Sequence, residues 1–370
     1  MIKVAVLGAN GFIGTRITEV FALSHLVDVR AVVRDYASLA RSSRFDLDAR
    51  IANAFDEQAL EAAFQGCDVV VHAVAGDTKT ILGTLTPVYR AAQKAGIKRL
   101  VYLSSSSVHG QAPPAGTDEG SPLSTKQDLP YNSAKVRAEQ ILTRLRSQGT
   151  VELVILRPGI VFGPRSSWVT RFANDLLAGR AALLNQGHGI CNSIYIDNLV
   201  HAIYLAATEP AVDGEVFLLG DQECVTWENL YQPIATALGY DLKEVPEGMI
   251  SKQKQSWFEQ LEPIRVSSPV QKLLSVIPHR FRLAAYHAYE TVLLYETNAT
   301  PPPDQVPPPS LPYEMALLYS CSYKLPHEKA RRVLGYWPLI SFPEACWRTV
   351  QWLDFAGYPV KNNLMEMMQK

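Results

Sequence analysis

The sequence predicts an α/β protein, a doubly wound parallel sheet followed by a smaller, mostly helical carboxy-terminal domain. Two observations carry this. Residues 2–7 form an apolar, β-branched run broken only by Lys3, as a parallel strand buried on both faces requires, and the turn Gly8-Ala9-Asn10-Gly11-Phe12-Ile13-Gly14 follows at once. Similar runs then alternate with stretches of helical period as far as residue 219. The 370 residues are 47% hydrophobic, enough for one large domain with a smaller one attached. The expected boundaries are 1–165 for the main domain, with 193–222 returning to it, and 166–192 plus 223–370 for the cap.

Composition excludes several classes. Lys plus Arg number 35 against 36 for Asp plus Glu, so the chain carries no nucleic-acid footprint. Its five cysteines are scattered, with no C-x-x-C pair, which fits a reduced compartment, and no metal site is expected. The first strand leaves no room for a signal peptide, and no apolar run reaches the roughly 18 residues of a membrane span. A cytoplasmic location is expected, with peripheral membrane contact left open.

Strand, glycine turn and helix (15–22) in that order form a dinucleotide-binding opening. Glycines let the backbone approach a pyrophosphate, and a helix amino terminus favours the anion. Gly8, Asn10, Gly11, Phe12, Ile13 and Gly14 are therefore candidate cofactor contacts. The second strand, 29–33, ends at Arg34, about 20 positions beyond the last glycine, where an arginine pairs with the extra phosphate of NADP and an acid with the ribose of NAD. Arg34 favours NADP. Asp35 would favour NAD if the register shifted by one, and otherwise reads as a helix cap or turn residue.

A third strand spans 49–52, and a helix capped by Asp56 spans 56–64. The fourth strand, 68–72, runs into Ala73-Val74-Ala75-Gly76, whose small side chains suit close passage of a cofactor, with Ala73 and Ala75 as contacts. A helix over 79–95 leads to the fifth strand, 99–103, which ends in Ser104-Ser105-Ser106-Ser107-Val108-His109-Gly110. Such a carboxyl end is where doubly wound folds place their ligands. A loop with Pro113, Pro114, Pro122 and Pro130 forms a rim for the substrate site. In the helix 131–146, Tyr131 and Lys135 share one face, and a fixed cation beside a phenol lowers its pKa towards neutral proton exchange. Ala134, Ala138, Ile141, Leu142 and Leu145 face the core, leaving Arg137 and Glu139 for solvent.

The G-x-x-G-x-x-G spacing, the serine-ended strand and the Tyr-x-x-x-Lys helix together resemble the extended short-chain dehydrogenases/reductases, and the resemblance covers nearly the whole chain except 250–312. It implies a Rossmann-type fold, with Tyr131 as general acid/base, Lys135 tuning it and holding the nicotinamide ribose, and Ser105, in register with Ser-Ser-x-x-Val-Tyr-Gly, orienting a carbonyl. Ser106 is the second choice for that hydroxyl. The resemblance also implies that Asn53 meets adenine through its carbonyl oxygen, and that Pro158 and Ile160 line the nicotinamide. Thr80 stands where relatives carry a relay asparagine. His72 reads as structural and His109 as packing.

The stretch Arg157-Pro158-Gly159-Ile160-Val161-Phe162-Gly163-Pro164-Arg165 separates branches of that family. Sugar-nucleotide enzymes grip phosphate with an asparagine at the position of Ile160 and an arginine near Cys191. Neither is present here, although Arg165 or Arg171 could compensate. This pattern, the long segment 251–312 and the ending 323–336 resemble most the 3β-hydroxysteroid dehydrogenase and related reductase branch. Within that long segment, the helical stretch 281–295 reads as cap packing, a lid over a hydrophobic substrate or a membrane-resting face. A last helix over 342–355 carries Trp347 and Trp352 as core anchors.

The expected activity is thus NADP- or NAD-dependent interconversion of a secondary alcohol and a ketone on an apolar small molecule, in a chain compatible with a homodimer. Nucleotide-sugar epimerisation or dehydration with retained cofactor, and non-enzymatic NADP sensing, are the alternatives.

Overall fold

The computed structural model describes residues 1–250 and 309–361. In chain order its strands are β1 (Lys3–Leu7), β2 (Asp28–Val33), β3 (Asp48–Ile51), β4 (Val69–His72), β5 (Arg99–Leu103), β6 (Glu152–Pro158), β7 (Ile160–Phe162), β8 (Ser193–Tyr195), β9 (Val216–Leu219), β10 (Met249–Ile250) and β11 (Ser310–Leu311). Seven of them form one sheet in the order β3-β2-β1-β4-β5-β6-β9. Every pairing in it is parallel. The order reverses between β1 and β4, and doubly wound sheets hold ligands at such a switch point.

Both faces of the sheet are covered, which explains its unbroken apolar strands. On one face, side chains of α1 (Phe12–Ser24), α7 (Ile196–Thr208) and α10 (Glu328–Leu334) pack against Val4, Val6, Val71 and Val154. On the other, α2 (Glu57–Phe64), α3 (Thr78–Gly83), α4 (Leu85–Lys94) and α5 (Pro130–Gln148) pack against Ala5, Leu7, Val70 and Leu100. A separate core joins α6 (Ser167–Leu177), α8 (Trp227–Leu238), α9 (Tyr313–Tyr319) and α11 (Phe342–Phe355). Its centre is Trp227, fully buried, edge-on to Tyr319 at 5.4 Å between centroids and donating from Nε1 to the Leu318 carbonyl at 3.2 Å. Phe172 and Tyr231 stack beside it at 3.8 Å.

Local departures from the sequence reading have physical causes. Helix α1 starts at Phe12, so the last glycine of the turn lies inside its first turn. The helix expected over 79–95 is two helices, parted at Thr84, whose hydroxyl donates back to the Thr80 carbonyl at 2.9 Å. Such back-bonding bends helices. Residues 160–162 form a strand paired with β8. Glu139 does not face solvent; it is buried, in an ion pair described below. The segment 281–295, and with it the choice between lid, packing and membrane face, lies outside the described residues. No helix among the described residues is long and apolar enough to cross a membrane.

His72 closes β4, buried, with Nε2 3.3 Å from the Thr84 hydroxyl and its ring edge-on to Tyr102. Burial, helped by the Lys135 charge, pushes its pKa down to about 3. The unfolded chain protonates this residue near its ordinary value of about 6.5. Below that pH the unfolded state therefore binds more protons than the folded one, and stability falls as the solution is acidified from about 6.5 towards 3. Denaturant titrations across this range should show a shallower loss of stability with acid in His72→Gln than in the parent chain; identical slopes would remove His72 from the acid response.

Candidate active site

The glycine turn forms a cradle at the switch point. Gly8 has φ +88°, and a Cβ there would lie 3.0 Å from the Ala73 backbone, while one at Gly14 would collide with the Gly8 carbonyl oxygen. Only glycine allows this packing of turn against β4 and helix. A Cβ on Gly11 would meet nothing nearer than the Gly8 oxygen at 3.3 Å, so the space in front of the turn is open. No side chain caps α1 and its first turn carries no acid, which leaves its amino-terminal N–H groups directed at that space. These features fit a pyrophosphate. Phe12, Ile13 and Ala75 line the adjoining cleft, whereas Ala73 serves by packing its backbone on Gly8. The Asn10 carbonyl accepts from Arg41 Nη1 at 3.3 Å, an exposed arginine that sequence spacing did not single out.

At the far end of β2, Asp35 caps the turn 36–39, accepting from the Ser38 backbone at 2.9 Å and the Ser38 hydroxyl at 2.8 Å. These bonds hold its carboxyl below the usual range. Arg34 reaches Asp35 at 3.3 Å, its side chain 78% exposed. The cap reading of Asp35 therefore describes its contacts, and Arg34 is left at the surface. Asn53 is exposed, and its Oδ1 accepts from the Phe55 backbone at 3.1 Å, which fixes its side chain at the end of β3.

The catalytic candidates meet at the carboxyl end of β5. Ser105 caps the short turn 106–109, accepting from the Ser107 backbone at 3.2 Å, and lines the cleft together with Ser106 and Tyr131. Burial in the cleft pushes the Tyr131 phenol upward; a hydrogen bond from Ser105 pulls it back and the charge of Glu314 pushes it further up. Lys135 Nζ lies 5.8 Å from the Tyr131 ring centroid and donates to the Leu103 carbonyl at 2.8 Å and the Tyr102 hydroxyl at 3.4 Å. Its bonds go to β5 and not to the phenol, so the net shift of Tyr131 is opposite to the lowering expected from a neighbouring cation. Lys135 itself is pushed down to about 8 by burial, against the opposing charge of Glu139.

Beneath them lies a polar network. Glu139 and Arg157, both buried, form a two-pronged ion pair at 2.7 and 3.0 Å. Ser104 donates to the same carboxylate at 2.5 Å. Arg157 Nη1 reaches His109 Nε2 at 3.1 Å and the Glu119 carbonyl at 3.2 Å. Burial, then Arg157, pushes His109 down to about 4, so it is neutral and its Nε2 accepts. His109, read from sequence as packing, thus links the rim loop to the arginine.

The cleft has a volume of about 540 Å3. Its walls include Pro158, Ile160 and Val161 on one side and the cap residues Trp168, Leu318 and Leu325 on the other. Cys191 is buried elsewhere, with Ile190 and Asn192 facing the cleft in its place. Neither Arg165 nor Arg171 lines it, and no lysine or arginine among the described residues does.

The sequence matches the family model "NAD dependent epimerase/dehydratase family" over residues 4–220. It is similar to the 3beta-hydroxysteroid-dehydrogenase/decarboxylase isoform 1 of Arabidopsis thaliana, with 25% identity over 78% of this chain and 62% of that protein. The chain thus spans less than two thirds of the plant protein's length. It is 27% identical to the UDP-glucose 4-epimerase of Vibrio cholerae, over 66% of this chain and 78% of that one. Among solved structures, dTDP-glucose 4,6-dehydratase from Bacillus anthracis in complex with NAD superposes with a TM-score of 0.67 at 16% identity, covering 96% of this chain and 97% of that chain.

The buried ion pair supports a stability test. Removing one partner leaves an uncompensated charge in the interior, which costs about 3–5 kcal/mol. Denaturant unfolding of Glu139→Ala should show a loss of that order, and a loss below about 1 kcal/mol, the scale of an exposed pair, would contradict the buried network.

Proposed function

From the premise that this chain belongs to the NAD dependent epimerase/dehydratase family and is an enzyme of the extended short-chain type, we propose that it interconverts a secondary alcohol and a ketone on a largely apolar small molecule, with NADP preferred over NAD. The observation that carries this reading is the cleft beside Tyr131 and Ser105, walled by Pro158, Ile160, Trp168 and Leu325 and without a lysine or arginine among its described lining residues. A nucleotide diphosphate placed there would lose its hydration without fixed cations in return, at a cost of several kcal/mol.

In this mechanism Tyr131 exchanges a proton with the substrate oxygen, and Ser105 donates a hydrogen bond that orients the same oxygen. In this reading Lys135, whose Nζ lies 5.8 Å from the Tyr131 ring centroid, holds the ribose of the bound nucleotide and lends its charge to the phenolate that forms during turnover, although its bonds in the structure go to β5. The glycine turn and the amino terminus of α1 hold the pyrophosphate, with Arg34 and Arg41 near the adenosine end. The nicotinamide, when bound, supplies or accepts the hydride. Asp35 is engaged as a turn cap, which supports Arg34 as the discriminating residue and hence NADP. Nucleotide-sugar epimerisation is the second reading, favoured by the Vibrio cholerae relative.

Mixing the protein with NADPH and panels of steroid-like ketones and nucleotide sugars, and following the reduced-nicotinamide absorbance, separates the two. Ketone-dependent consumption is expected; sugar conversion without net consumption would favour the second reading. Tyr131→Phe should lower kcat at least about a hundredfold, the scale of general acid/base catalysis, with little change in NADPH affinity, and retained turnover would remove the assigned role. Arg34→Ala should weaken NADP more than NAD, whereas equal losses would point to Asp35.

A further inference from the structure

The cleft carries one charged side chain that the reaction proposed above does not use. Apart from Tyr131, Glu314 is the only ionisable residue lining it among the described residues. It stands in the first turn of α9, one helical turn before Leu318, so the two share the face that α9 turns to the cleft. Its placement is built from both walls. From the side of the serine turn, Gln111 Nε2 donates to Glu314 Oε1 at 2.9 Å. From the cap side, Met315, Leu318 and Tyr319 of the same helix are buried in the core around Trp227. The adjacent Tyr313 hydroxyl donates to Asp128 at 3.4 Å, fastening α9 to the loop that leads into α5. Glu314 Oε2 has no hydrogen-bond partner among the described residues, and the residue stands exposed at the cleft that Tyr131 also lines.

We propose that Glu314 is a specificity-determining residue of the cleft: its carboxylate accepts a hydrogen bond from a hydroxyl or ammonium group of the substrate and repels substrates that carry phosphate. This rests on the alcohol–ketone reading given above and narrows its substrate class from apolar molecules in general to neutral or cationic ones with a second hydrogen-bond donor away from the reacting carbon. A carboxylate with one oxygen already bonded has acceptor capacity left on the other, and a substrate donor satisfies it. A phosphate in the same cleft would face a like charge and no lining cation, the arrangement by which binding sites reject a competitor.

The test uses the full chain loaded with NADP+, which cannot reduce a ketone, and calorimetric titration with three probes: UDP-glucose, a 3-ketosteroid bearing a 17-hydroxyl, and the same steroid without that hydroxyl. Glu314→Gln removes the charge with little change of shape, and Glu314→Asp keeps the charge. Glu314→Gln should bind UDP-glucose at least about fivefold more tightly than the parent chain, while Glu314→Asp should not. It should also reduce the preference for the hydroxylated steroid about tenfold, the scale of a hydrogen bond to a charged acceptor. UDP-glucose affinity that is the same in all three proteins, including no binding in any, would overturn the repulsion. An unchanged ratio between the two steroids, including no binding of either, would overturn the acceptor role. Conversion of UDP-glucose by the parent chain would sink the ketone reading on its own, and the affinity comparison between the variants would still decide the role of Glu314.

Discussion

The active site depends on burying one ammonium. Lys135 sits within α5, sealed from solvent, and its charge is met by the Leu103 carbonyl at the end of β5 and by the field of Glu139 one helical turn further on. A buried lysine without such partners would shed its proton, and the shift to about 8 shows how near the balance lies. Glu139 in turn is held by Arg157 on β6 and by Ser104 at the head of the serine turn. The same few bonds therefore fix α5 against β5 and β6 and set the positions of Tyr131 and Ser105. One group stands on a helix and the other at a strand end, which gives both the rigidity that the proposed proton transfer would need.

The cleft's polarity follows from what surrounds this centre. Its floor is the serine turn and Tyr131, its cofactor side is Phe12, Ile13 and Ala75, and its cap side is built on the aromatic core of Trp227, Phe172 and Tyr231. The arginines nearest the glycine turn are engaged or lie outside the cleft lining. Arg16 is paired with Asp197, and Arg41 reaches the Asn10 carbonyl. The polar groups left along the lining include the Tyr131 phenol, the serine turn and one carboxylate at Glu314. Membership of a family whose relatives include both a steroid dehydrogenase and sugar epimerases leaves the distinction between them to such lining residues.

Much of this was legible in the sequence, for a local reason. Strand, glycine turn and helix are set by neighbours in the chain, so the strands of the central sheet follow from runs such as 2–7 and 99–103, while their order comes from the structure. The Tyr131–Lys135 spacing brings both residues to one side of α5. What escaped depends on partners distant in sequence. Glu139 looked solvent-facing because helical period treats a charge as outside, and only the approach of Arg157 on β6 makes it an interior residue. Glu314 carries no local signal and gains its meaning from α9 lying across the serine turn. Thr84 splits a helix that periodicity reads as continuous, because its hydroxyl competes for a backbone carbonyl. Asp35 reads from sequence as cap or ribose ligand, and its observed bonds are those of a cap, to the backbone and hydroxyl of Ser38.

If Tyr131 and its cleft direct net hydride transfer to a neutral ketone, as proposed above, the transferred hydrogen can be followed by isotope. The most direct measurement is label transfer: protein, a steroid ketone and NADPH carrying deuterium at the transferable position of the nicotinamide, with the product alcohol analysed by mass spectrometry. One deuterium on the new carbinol carbon is expected for each NADPH oxidised, and no labelled product from Tyr131→Phe. Steroid ketone recovered unreduced and unlabelled, with the NADPH keeping its deuterium, would contradict the proposal.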